Sequence, residues 1–142
     1  MKGSKDLLSS VLKTTQMGQV GIHYVLKTPL NASLRKELRS QLQEYDAIEQ
    51  EAQTIASNRG WILEELDPTV KFMAGMTARA KLRIGNPDSK AAAMMIQGNT
   101  RGMIKSLKNM HQFCGNDENV SRLSQKLLDC EVNNIRQMQG FL

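Results

Sequence analysis

The sequence predicts an all-α protein made of four long amphipathic helices and one shorter one. Apolar residues recur at three- and four-residue spacing along most of the chain. No segment alternates with period two, and no Asn-Gly pair joins two apolar runs into a hairpin. With three prolines in 142 residues, and stretches rich in Leu, Ala, Gln, Lys and Glu, long intervals are free of helix breakers.

The first helix is predicted over Lys5–Lys27. Leu8, Val11, Leu12, Thr15, Gly18, Ile22, Val25 and Leu26 form its apolar face, with Gln19 inside it and His23 off to one side. Pro29 stops this helix, and Asn31 is placed to cap the next. The second helix, Ala32–Arg59, presents Leu34, Leu38, Leu42, Tyr45, Ile48, Ala52, Ile55 and Ala56. Gln41 falls within that face, Glu49 nearer its edge and Glu44 on the opposite border, and Gly60 suits a C-cap.

Trp61–Leu66 is an apolar connector that needs a surface to pack on. Asp67-Pro68 reads as the N-cap and first-turn proline of a third, shorter helix reaching Ile84, with Val70, Met73, Thr77 and Ala80 on its stripe. Gly85-Asn86-Pro87-Asp88 ends it and caps a fourth helix over Ser89–Phe113. The stripe expected there is Ala92, Ile96, Asn99, Met103, Leu107 and Met110. Its polar member, Asn99, needs a partner, because an unsatisfied buried carboxamide costs roughly 1–3 kcal/mol. Gly98 and Gly102, four apart, suggest close helix approach. After a turn at Cys114–Asp117, a last helix runs over Asn119–Phe141, facing inward through Val120, Leu123, Ser124, Leu127, Glu131, Asn134, Ile135 and Met138.

The length fits one domain over 1–142, with hairpins 5–59 and 89–141 and a crossover over 61–88. Two cysteines are too few for a disulfide scaffold or a cysteine-based zinc site, so a cytoplasmic protein with reduced thiols is expected. The N-terminus lacks the apolar stretch of a signal peptide, and the longest apolar run, Ala91–Ile96, is far too short to span a membrane. The net charge of +5 is concentrated in residues 1–30 and 88–115. Without aromatic interleaving or an arginine-rich arm, that pattern argues against nucleic acid as a partner.

Six polar residues point inward or lie at the border: Gln19, Gln41, Glu44, Asn99, Glu131 and Asn134. Counted from the turns at Pro29 and Asn116, all six fall at one level if those turns lie at opposite ends of a bundle. Two hairpins joined by a long crossover, with inward polar residues at mid-height, resemble the ferritin-like fold. The chain resembles especially the small uncharacterised bacterial four-helix proteins of that superfamily, with a helix in the crossover. Ferritin-like di-iron sites take a Glu from each of two helices and Glu-x-x-His from the other two. At the matching positions the resemblance puts Gln19 and Asn99, then Gln41 to Glu44, then Glu131 to Asn134, with both histidines absent.

Two carboxylates neutralise few of the charges of an iron pair. The reading favoured by the sequence is therefore a metal-free polar layer that fixes helix register. A weakly bound divalent metal or a small polar ligand is the alternative for the same residues. No phosphate loop, nucleophile elbow or metal-spaced histidine pair points to an enzyme. The expected role is structural or partner-binding, with a protein partner or self-association, and the alternative is a ferritin-like metal-binding protein with an atypical ligand set.

Overall fold

The computed structural model describes residues 3–70 and 85–142. Its regular structure is helical: α1 (Ser4–Val25), α2 (Ala32–Asn58), α3 (Pro87–Gln112) and α4 (Glu118–Gln139). Each start is specified locally. Asn31 accepts a hydrogen bond from the Ser33 amide at 2.8 Å. Asn86 accepts from the Asp88 amide with Pro87 in the first turn, and Asp117 accepts from the Val120 amide. At the N-terminus the Gly3 amide donates to the Asp6 carboxylate, whose charge suits the positive end of the helix dipole. Asp67 accepts from the Thr69 amide at 2.7 Å and opens a further helical turn over 68–70. The rest of the expected third helix, with Met73, Thr77, Ala80 and Ile84, lies outside the described residues.

The four helices pack side by side. Helix α1 lies against α2 and α3, while α4 lies against α3 and α2. At one end the Asn31 amide donates to Asp88 at 3.0 Å, which sets the first turn beside the start of α3. At the other, Arg59 pairs with Asp117, so the end of α2 meets the second turn. The turns are thus at opposite ends, as the level count required. The helices run up, down, down and up from the end that carries Asp117, here called the lower end.

Beyond Gly60, whose φ of +67° suits only glycine comfortably, the connector climbs along α1. The Glu64 amide donates to Ser9 at 3.3 Å and the Leu66 amide to Gln16 at 2.8 Å. Lys13 and Glu64 pair at 2.6 Å, and Trp61 and Leu63 pack against the core. This gives the apolar connector its expected surface.

Leu8, Ile22, Leu34, Leu38 and Leu123 are completely buried and belong to one core. The inward faces of α2 and α4 are those expected, apart from partial exposure of Leu42, Ile55 and Ile135. Two faces differ. On α3 the buried residues are Ala91, Ala92, Met95, Asn99, Gly102, Ser106 and Asn109. Leu107 is 41% exposed, and Ile96, Met103 and Met110 are only partly buried. The helix turns its smallest residues inward and leaves bulkier ones at the flank. On α1, Gln16 is buried whereas Gln19, three residues on, is only half-buried, so the inner face is rotated by about 60° from the expected one.

Candidate functional site

Tyr45 of α2, Asn99 of α3 and Glu131 of α4 each lie thirteen residues from the lower end of their helix, at Asn58, Gln112 and Glu118. At about 1.5 Å per residue that is one common level, about 20 Å up the bundle. Their side chains meet there. The Tyr45 hydroxyl lies 2.8 Å from Asn99 Oδ1 and 3.0 Å from Glu131 Oε1, and Asn134 Nδ2 donates to it at 3.3 Å. All four residues are at most 2% exposed.

One hydroxyl proton cannot serve two acceptors. Burial pushes the Glu131 carboxyl up to about 8, partly offset by its hydrogen bond with Tyr45, so near neutral pH Glu131 holds its proton. As an acid it donates to Tyr45 Oη, and Tyr45 donates onward to Asn99 Oδ1 over the shortest of the three distances. Burial, and then Glu131 once it has ionised at higher pH, also raise Tyr45 well above the usual phenol range. The tyrosine is a hydrogen-bonding hub and stays neutral.

Two glycines make room for it. A Cβ at Gly18 would meet the Tyr45 ring at 2.6 Å, and one at Gly102 would meet the Glu131 carboxyl at 3.0 Å. Beside the hub a cavity of about 440 Å³ opens between α1 and α3, with Tyr45, Asn99 and Glu131 in its lining. Gly98 also lines it and has nothing within 4 Å of a built Cβ, so this glycine opens space and does not mark close helix approach. Among the described residues, Asn99 Nδ2, Asn134 Oδ1 and Gln41 Oε1 are buried without a hydrogen-bond partner.

Of the six residues singled out from sequence, the hub gathers Asn99, Glu131 and Asn134. Gln41 is buried but donates to Glu37, its neighbour one turn away at 3.3 Å. Gln19 is not inside the layer: it turns outward and donates to Asp46 at 2.9 Å and to Glu49 at 3.4 Å. Glu44 is exposed and accepts from the Cys130 thiol at 3.2 Å. His23 and His111 are both exposed. Tyr45, the centre of the arrangement, was legible only as one more member of an apolar face, since its partners come from two other helices.

The donor set does not fit a di-iron centre. It offers one buried carboxyl, which retains its proton, and the Tyr45 oxygen stands where the inward groups meet. Among the described residues no three His, Cys, Asp or Glu side chains come together in a way that could hold a metal ion. The cluster presents hydrogen-bonding groups at the side of a cavity. No helix among the described residues is long and apolar enough to cross a membrane. In comparisons with protein-family models, curated proteins and solved structures, the chain finds no match.

Proposed function

We propose that the protein is a non-enzymatic helical bundle of ferritin-like architecture that serves a structural or partner-binding role, with a hydrogen-bonded polar cluster where relatives of that fold hold metal. The observation that carries this reading is the Tyr45 hub: its hydroxyl unites Asn99 Oδ1, Glu131 Oε1 and Asn134 Nδ2. The order of the helices, with the turns at opposite ends and a connector climbing the side of α1, supports the likeness of fold. A groove along α3 and α4, lined by Met103, Leu107, Leu128 and Val132, supports the partner-binding role, because apolar side chains there stay in contact with solvent.

The test is to purify the protein without chelators, measure its metals, then add ferrous iron in air and follow oxidation. The expected result is substoichiometric metal and oxidation no faster than in buffer. Two metals per chain with rapid oxidation would overturn the proposal.

A further inference from the structure

The α3–α4 side of the bundle presents an apolar strip to solvent. Met103 and Leu107, two members of the stripe expected to face inward on α3, line a groove there with Leu128 and Val132 of α4. Leu107 is 41% exposed and Val132 38%, and Ile104, next to Met103, is 47% exposed. Asp129, Asn133 and Arg136, all exposed and all on α4, complete the lining. Apolar side chains in a groove with charged groups at its rim have the make-up of a protein–protein contact.

The two charges are placed symmetrically. Asp129 and Arg136 are seven residues, or two turns, apart, so they share one face of α4 and lie about 10 Å from each other along its axis. The midpoint between them falls between Val132 and Asn133, in the middle of the same face. A two-fold axis through that midpoint, perpendicular to α4, turns the helix end for end. It sets Asp129 of one copy level with Arg136 of the other, and it makes that pair twice. Packed helices approach to about 8–10 Å, a gap that an aspartate and a long arginine can bridge with a charge-assisted hydrogen bond. The same operation lays Val132 of each copy beside the centre and covers both grooves. An acid and a base set evenly about the middle of an apolar face match a second copy by construction, because a two-fold contact uses one patch on both partners. An unrelated protein imposes no such spacing.

We infer that the protein pairs with a second copy of itself across this groove, α4 against α4 in antiparallel orientation about a two-fold axis at Val132–Asn133, with Asp129 of each copy bonded to Arg136 of the other. The inference rests on the partner-binding half of the proposed function and names the partner. Its test reads mass and not metal. A monomer overturns the inference alone, whereas a loaded di-iron centre overturns the proposed function and leaves the pairing untouched.

The experiment is sedimentation equilibrium of the full chain from micromolar to hundred-micromolar concentration. Twice the chain mass of 15.9 kDa is expected at the upper end. Asp129→Arg and Arg136→Asp, both at exposed positions, each set like charges face to face twice over, and each should weaken pairing at least tenfold. The two variants mixed in equal amounts should pair with each other as the parent pairs with itself, since every acid then meets a base again. The double variant should recover for the same reason. Recovery by mixing is a result that local damage to either helix cannot produce. Val132→Glu should abolish pairing while leaving the helical circular dichroism unchanged. The inference is overturned if the chain stays a monomer throughout, which would assign the groove to a different protein, or if its mass grows beyond two copies. It is overturned equally if folded Asp129→Arg or Val132→Glu protein pairs as the parent does, or if mixing the two charge variants restores nothing.

Discussion

The hydroxyl of Tyr45 is the atom on which most of the buried polar chemistry depends. Tyr45→Phe keeps the ring and removes that atom, which strands Asn99 Oδ1 and Glu131 and leaves Asn134 Nδ2 only its contact with Cys130 Sγ. We expect a loss of about 1–3 kcal/mol in urea unfolding, the usual cost of an orphaned buried group. A neutral outcome would mean that water replaces the hydroxyl. Glu131 predicts a pH effect with a definite sign. Its carboxyl is at about 8 in the fold and about 4.3 in an unfolded chain, so between those values the native state holds the extra proton. Its contribution is complete below pH ~4.3 and is lost as pH rises through 8, by an amount of order a few kcal/mol. Glu131→Gln keeps a donor for Tyr45 and cannot ionise. Its stability should match the parent near pH 5 and exceed it near pH 9, as read from urea midpoints at the two pH values; parallel curves would show that Glu131 is already charged. Asp117 acts in the opposite direction, because its hydrogen bond to Arg59 lowers it to about 2. That stability is present above pH ~4 and lost as pH falls toward 2.

At the scale of the element, glycines in one pair of helices should respond in opposite ways to the same substitution. Gly98→Ala meets open space and removes a poor helix former, so a gain of up to about 1 kcal/mol is expected. Gly18→Ala makes the same local gain but drives a methyl into the Tyr45 ring, and a net loss of about 1–3 kcal/mol is expected from overpacking. Thermal melts of the two variants decide the matter; stabilisation by both would mean that the tyrosine can retreat. Asp117→Ala removes both the cap of α4 and the partner of Arg59, and should cost about 1 kcal/mol or somewhat more. The helices themselves were readable from sequence, because Asn31, Pro29, Asn86 and Asp117 mark their ends by local chemistry. The buried face of α3 was not. Periodicity gives weight to bulky apolar residues, and so it selected Ile96 and Leu107 beside Ala92 and Asn99, whereas the fold needed small residues where α3 meets its neighbours and turned Ala91, Gly102 and Ser106 inward as well. Leu107→Ala should consequently cost well under the ~2–5 kcal/mol of a buried leucine. The same angular error put Gln19 on the inner face of α1, where Gln16 is the buried glutamine and bonds the connector and Glu49, not the hub.

Across the whole molecule, the order of the helices followed from lengths alone, since a connector long enough to travel the bundle allowed the inward polar residues to share a level. The hub within that level was hidden for a physical reason: a tyrosine is apolar along most of its body, and its polar end declares itself only when other helices bring partners to it. The seam between α2 and α4 has a consequence of another kind. Cys130 sits in that seam with its thiol donating to Glu44, and burial raises it far above the range in which thiols ionise near neutral pH. Cys114 lies exposed on the lower turn. The chain thus carries a fast thiol and a protected one, and a thiol reagent becomes a measure of how often the bundle opens. Cys114 should be modified first, and Cys130 only during openings that part α2 from α4, at a rate that rises with urea as global unfolding does. Modification of Cys130 that is slow yet independent of urea would reveal the seam breathing on its own while the rest of the bundle stays closed.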